Sequence, residues 1–269
     1  MIAPYNHSKA QPTLVALFAS DVHLRALLPK TSQAFFAFLK TQAPQAKQLF
    51  LLGDLFEYWA GDDDIVDDYN QKIVDALRAV NDTGTEIFWI AGNRDFLIGD
   101  LFAEATGAQL LPDPSVITLT GKEIVIAHGD AQCTDDVAYI AFRNQVRQTA
   151  WQTQFLNMPL TQRKAIIEGM RKDSKMEQKG KSLAIMDVNQ AAIEKLFSES
   201  GAKIMVHGHT HRPAIHQHGQ TTRYVLPDWD CDVGTTELAR GGWLALYDNG
   251  EFVSYQFDGT RLDTPSEAI

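Results

Sequence analysis

The sequence predicts an α/β layered fold, and three observations carry that expectation. Strand-length apolar runs alternate with amphipathic stretches through most of the chain. Hydrophobic residues make up 45% of the 269 and charged residues 22%, which is enough apolar material for a packed core. The Asp, Asn and His clusters suited to chemistry fall just past the ends of the apolar runs, where loops of an open α/β sheet converge on one crevice.

Leu14–Ala19 is apolar at every position and reads as a buried strand, followed by a helix over roughly Thr31–Thr41. Gln48–Leu52 reads as the next strand and Ile65–Val80 as an amphipathic helix. A third strand over Glu86–Ala91 leads to a short helix near Gly99–Ala105. Ser115–Thr120 and Glu123–Ala127 read as strands joined around Gly121. Lys203–Val206 is a further strand, and Tyr224–Leu226, Trp243–Tyr247 and Phe252–Gln256 make the last third β-rich. From Gly259 the chain is polar, and 259–269 is expected to be a flexible tail.

One region breaks this rhythm. From about Asp136 to Lys195 the pattern is helical, with no strand. Within 143–181 nine basic residues stand against Glu168, Asp173 and Glu177, in a chain whose net charge is −10. Large apolar groups, among them Phe142, Trp151, Phe155, Ile166 and Met170, share the stretch. Two readings stand side by side. One is a helical insertion with a solvated basic face, and the other is a lid offering apolar surface and cations to an amphipathic anion.

Composition excludes some classes. The acidic balance argues against a nucleic-acid binder held by bulk charge. Cys133 and Cys231 stand alone, without metal-knuckle spacing, and read as buried thiols in a reducing compartment. Residues 1–13 are polar, carry Pro4 and Pro12, and are expected to form a flexible extension rather than a signal peptide or anchor. No apolar run reaches the length that spans a bilayer. The expected location is cytoplasmic, with contact to a membrane only from the side.

Asp21-Val22-His23 follows the first strand, Gly53-Asp54 the second and Gly92-Asn93 the third. His128-Gly129 and His207-Gly208-His209 follow two later strands. Each pair is weak alone; five in this order, all at strand ends, are not. Carboxylate, amide oxygen and imidazole without thiolate favour Mn, Fe, Zn or Mg over a structural zinc site. A carboxylate such as Asp54 can bridge two cations about 3.5–4 Å apart, an arrangement that activates water and clamps phosphoryl oxygens. The neighbouring glycines allow close backbone approach or positive φ.

The series Asp-x-His, Gly-Asp, Gly-Asn, His and Gly-His-x-His resembles the calcineurin-like metallophosphoesterases over roughly residues 14–212. That resemblance implies a four-layer αββα sandwich over 14–258 with a helical lid inserted at about 136–195. It also implies two divalent ions, one held by Asp21, His23, Asp54 and His209 and the other by Asp54, Asn93, His128 and His207. His7, His211, His216 and His218 receive no role.

Most members of that superfamily carry His after Gly-Asn, whereas this chain has Gly92-Asn93-Arg94-Asp95. Arginine cannot donate a proton at neutral pH, but its fork binds phosphoryl oxygens. This suits a leaving group that departs as an anion, as a phosphate monoester with a second pKa of about 6 does. Arg94 therefore tilts the reaction toward P–O–P cleavage. Longer strings, including Ser20-Asp21-Val22-His23-Leu24, Gly53-Asp54-Leu55-Phe56-Glu57, Gly92-Asn93-Arg94-Asp95-Phe96-Leu97 and His207-Gly208-His209-Thr210-His211-Arg212-Pro213, resemble the UDP-2,3-diacylglucosamine pyrophosphatases of Gram-negative bacteria.

The closer resemblance implies hydrolysis of UDP-2,3-diacylglucosamine to UMP and 2,3-diacylglucosamine 1-phosphate in lipid A synthesis. A metal-bridging hydroxide would attack the UMP-side phosphorus. Asp54, Asn93 and Arg94 would be catalytic. Asn93, Arg94, Asp136, Tyr139, Ser174, Gln178, Lys181 and His207 would meet the substrate, with Mn as the ion. Gln178 stands where relatives have Asn, and Leu226–Asp230 also departs from the family pattern. A monomer, peripheral on the cytoplasmic face of the inner membrane, is expected. Asp62, Asp63 and Asp64, with Asp67 and Asp68, are expected to cap and flank the following helix rather than hold a further cation. The alternatives are a phosphohydrolase for soluble nucleotides, which needs no apolar lid, and a scaffold without chemistry, which should lack ligands.

Overall fold

The computed structural model describes residues 11–178, 185, 187–234 and 238–262, with backbone alone at 173–178. β1 (Leu14–Ala19), β2 (Gln48–Leu51), β3 (Glu86–Ile90) and β4 (Ala108–Leu111) are parallel neighbours. They alternate with α1 (Pro29–Thr41), α2 (Asp68–Asp82) and α3 (Asp100–Thr106). β5 (Ser115–Leu119) and β6 (Lys122–Ala127) begin a second sheet, which continues through β7 (Ile204–His207), β8 (Ala214–His218) and β9 (Thr221–Val225). β10 (Gly242–Tyr247), β11 (Phe252–Gln256) and β12 (Arg261–Leu262) return to the first. The orders are β12-β11-β10-β1-β2-β3-β4 and β5-β6-β7-β9-β8.

Period-2 alternation sorts each central strand between two cores. Leu17, Ala19, Leu49, Leu51, Ile87 and Trp89 face a core with Phe35, Phe38, Ile73, Leu77 and Phe102 of the helices. Their neighbours Ala16, Phe18, Phe50 and Ile90 join Ile124, Ile126 and Val206 in a second core between the sheets. On the outer face of the second sheet, Val125, Ala127 and Met205 pack against Ile193 and Leu196 of the helix at Gln190–Ser200. The result is an αββα sandwich, with each fully buried large side chain contributing about 1.5–3 kcal/mol.

The inserted helices are α4 (Val137–Val146), α5 (Thr149–Leu156) and α6 (Leu160–Gln178), followed by α7 (Gln190–Ser200). Phe155 is buried in the helix-side core, with Trp151, Met158, Ile166 and Ile167 packed against it. The expected lid boundary at 195 falls inside α7, whose apolar face covers the second sheet, so α7 belongs to the sandwich. The expected tail from Gly259 begins instead with β12, paired with β11. β4, β8 and β12 escape periodicity because they are short strands at sheet edges.

The acidic run is divided among three tasks. Asp67 caps α2 through the amides of Tyr69 and Asn70. Asp62 accepts from the amides of Gly99 and Phe102 at the start of α3. Asp63 and Asp64 instead pair with Arg163 and Lys164 of α6. The insertion's basic face is therefore partly clamped to the body, which corrects the reading of a wholly solvated face; the expectation that the run caps the following helix fails for Asp63 and Asp64 and also for Asp62, which serves α3 instead.

Candidate metal centre

Parallel strands in both sheets deliver their C-terminal loops to one edge. Asp21 and His23 follow β1, Asp54 follows β2, and Asn93 and Arg94 follow β3. His128 follows β6, while His207 ends β7 with His209 and His211 beyond it. Main-chain bonds run these loops side by side. Asp21 N donates to Gly53 O and His23 N to Asp54 O, both at 3.0 Å, and Gly208 N donates to His128 O at 2.9 Å. His209 N donates to Asp21 Oδ2 at 2.8 Å and joins the two sheets' loops.

Five of these residues, Asp21, His23, Asp54, His209 and His211, hold φ between 52° and 68°. Non-glycine residues visit that region sparingly and are kept there only by surrounding structure. Gly92 has ordinary φ, but a methyl group on it would strike the amide and carboxylate of Asp54. Gly53 combines a φ of 86° with a close approach to Gly92 and His128. The expected close approach is thus between neighbouring loops.

Asn93 Oδ1 lies 2.9 Å from both His128 Nε2 and His209 Nδ1. His128 Nδ1 lies 2.8 Å from Leu52 O, an acceptor, so Nδ1 carries hydrogen. Asp54 Oδ1 accepts from Arg94 N at 2.8 Å and stands 3.8 Å from His128 Nε2. The Arg94 side chain reaches within 3.9 Å of Asp54 Oδ2 and 3.7 Å of Glu57 Oε1.

Two groups of donor atoms lie within 4.8 Å of one another: Asp21, Asp54 and His128, and Asp21, His23 and His211. Asp21 Oδ1 is buried without a hydrogen-bond partner. Buried, unpaired lone pairs are costly, and cations would satisfy them, so the residues present fit a divalent-metal centre. Among the sequence-expected ligands, His207 and His209 fall outside both groups. His207 Nε2 accepts from Arg223 Nη1 at 3.0 Å, and its Nδ1 lies 3.0 Å from Gly208 O.

Burial pushes the Asp54 carboxyl up to about 7. Burial opposes charge on His128, but Asp54, Asp21 and Asp130 outweigh it and raise the imidazole to about 9. The charged imidazole is thus favoured by the carboxylates around it. Burial, joined by Arg223, lowers His207 to about 3, and burial with the nearby His128 lowers His209 to about 4.

Asp136 caps α4 by accepting from Tyr139 N at 3.1 Å. The Tyr139 ring stacks on His209 with centroids 6.0 Å apart, and its hydroxyl donates to Asp130. These two expected substrate positions therefore border the centre. The side chains of Ser174 and Gln178, and all of Lys181, lie outside the described residues.

Sequence reasoning missed several participants. Glu57 pairs with Arg94 and with Arg171 of α6, and its Oε2 is 3.8 Å from His23 Nδ1. Asp95 accepts from the amides of Gly92 and Leu55, each at 2.8 Å, and ties the loops after β2 and β3 together. Asp228, after β9, reaches His211 and Arg240. The signal for Glu57 and Asp95 was proximity, since each lies within three positions of an expected ligand. Asp228 gave no comparable signal.

The calcineurin-like phosphoesterase family model matches residues 14–213. Curated proteins named UDP-2,3-diacylglucosamine hydrolase are similar over most of their lengths. The one from Aromatoleum aromaticum is 48% identical over 221 residues, covering 81% of this chain and 90% of that protein. Its counterpart from Haemophilus influenzae is 46% identical over 212 residues, covering 79% and 89%. A third, from Ralstonia nicotianae, is 42% identical over 240 residues, covering 86% and 88%.

Proposed function

The chain belongs to the calcineurin-like phosphoesterases and, within them, to the UDP-2,3-diacylglucosamine hydrolases; on that premise we propose that it cleaves UDP-2,3-diacylglucosamine to UMP and 2,3-diacylglucosamine 1-phosphate at a two-cation centre. The observation that carries the reading is the meeting of Asp21, Asp54, Asn93 and His128, from four strand ends, beside the Arg94 guanidinium.

Asp21, His23, Asp54 and His209 would hold one ion, and Asp54, Asn93, His128 and His207 the other. Manganese fits these oxygen and imidazole donors. When bound, such ions activate water and neutralise charge on the phosphoryl group. Attack falls on the UMP-side phosphorus, and the sugar 1-phosphate departs as an anion that needs no proton. Arg94, oriented by Asp54 and Glu57, presents its fork to phosphoryl oxygens. Asn93 and His207 would border the same phosphate. Tyr139, stacked on His209, ties the first turn of the first inserted helix to the centre.

The inserted helices support a lipid substrate. Val137 is 74% exposed and Phe142 40%, and Leu156 and Met170 also show surface. Among the described residues no helix is long and apolar enough to cross a membrane. We therefore place the enzyme on the cytoplasmic face of the inner membrane as a peripheral protein. Sedimentation with anionic vesicles at low salt should carry the protein down; none in the pellet overturns this placement.

The test of the reaction is UMP release with manganese from the diacylated substrate, the unacylated sugar nucleotide and a generic phosphodiester. Turnover of the diacylated substrate alone is expected, with Asp54→Ala inactive. Equal cleavage of the generic diester overturns the lipid reading and leaves the metal centre standing.

A further inference from the structure

We infer that His211 is an additional ligand of the cation assigned to Asp21 and His23, oriented for that task by Asp228; the inference rests on the two-cation reading above. His211 Nε2 lies 3.2 Å from His23 Nε2 and 3.5 Å from Asp21 Oδ1. Three donor atoms thus face one another, and Asp21 Oδ1 is buried with no hydrogen-bond partner. One proton can bridge only one pair of such atoms, whereas a cation satisfies all three.

The other side of the ring supplies an independent observation. His211 Nδ1 stands 3.4 Å from Asp228 Oδ2, and that oxygen accepts from Arg240 Nε at 2.8 Å. Asp228 is buried, and the next residue, Trp229, donates its amide to Asp21 O at 3.0 Å. The loop after β9 is therefore fastened to the loop after β1, with a carboxylate behind the imidazole. A carboxylate on one ring nitrogen, with the other nitrogen aimed at oxygen and imidazole donors, is the arrangement that orients metal-binding histidines.

The backbone agrees. His211 holds a φ of 55°, and such strain in a non-glycine residue persists where its surroundings enforce it. His209 turns the other way, its Nδ1 2.9 Å from Asn93 Oδ1. Of the two, His211 is the one that shares donor distance with both Asp21 and His23.

The experiment titrates manganese into the full chain and follows free ion by electron paramagnetic resonance. It compares wild type, His211→Ala, His211→Gln and Asp228→Asn, with circular dichroism in chelator confirming that each is folded. His211→Gln keeps a polar reach to Asp228 without an imidazole. Both His211 variants should weaken one ion's affinity by more than about 10–100-fold, and Asp228→Asn should fall within that range. The second ion should be unchanged. Two ions bound by wild type and, at unchanged affinity, by both His211 variants overturns this inference alone. Wild type that takes up no manganese overturns the two-cation reading together with it.

Discussion

Arg147 donates to the main-chain carbonyl of Gly92 at 2.9 Å, so the residue that ends α4 grips the strand end delivering Asn93 and Arg94. The same guanidinium reaches Ala91 O at 3.1 Å and lies 5.3 Å over the Phe96 ring. Hydrogen bonds from a charged group contribute about 1.5–3 kcal/mol. Arg147→Ala should lower stability by a loss of that order and reduce kcat, because the loop holding Asn93 loosens. Urea unfolding and steady-state kinetics check this; a variant with wild-type values in both would detach the helix from the site.

Arg94→Ala should lower kcat by about 10²–10³, the cost of removing one group that stabilises transition-state charge. Manganese stoichiometry should stay at the wild-type value. Arg94→Lys should recover part of the loss, since an ammonium supplies charge without the fork. Loss of metal in Arg94→Ala would instead make Arg94 a support for Asp54.

Gly92→Ala should fold less stably and bind manganese poorly, because the added methyl meets the amide and carboxylate of Asp54. The readout is metal content after gel filtration. A fully loaded Gly92→Ala variant would mean that the loops after β2 and β3 separate easily.

Metal affinity should rise with pH. His128 in the metal-free protein is raised from 6.5 to about 9 by Asp54, Asp21 and Asp130, which outweigh burial. A cation must displace that proton, so affinity climbs by about tenfold per pH unit between about 7 and 9, more steeply below 7, where Asp54 is protonated as well, and levels above 9. In the metal-free fold the His128–Asp54 pairing stabilises between about pH 7 and 9: it is lost as pH rises through about 9 and weakens as pH falls through about 7, where Asp54 takes up a proton. Calorimetry in buffers of different ionisation enthalpy measures the proton released; no release near neutral pH contradicts the assignment.

Cys133 and Cys231 are buried, and burial pushes their thiols up to about 12 and about 11. Native protein should resist thiol reagents at mildly alkaline pH, with both cysteines reacting after denaturation. Rapid labelling of the native chain would contradict the packing around them.

Sequence by itself determined the layering and the order of the centre. Leu17 and Phe18, or Leu49 and Phe50, are neighbours that must face opposite ways in a strand, so apolar runs imply cores on both sides. Asp21, Asp54, Asn93 and His128 each follow such a run, and parallel strands can only deliver them to one edge. Tertiary structure alone decided which side chains meet there. Asp228 stands behind His211 because β9 pairs with β7, and His207 meets Arg223 for the same reason. The surplus of basic residues in the insertion was legible, but its use was not. Arg163, Lys164 and Arg171 are taken by Asp63, Asp64 and Glu57, residues far away in the chain. Pairings of that span depend on how helices dock on a finished sheet, and no local periodicity encodes them.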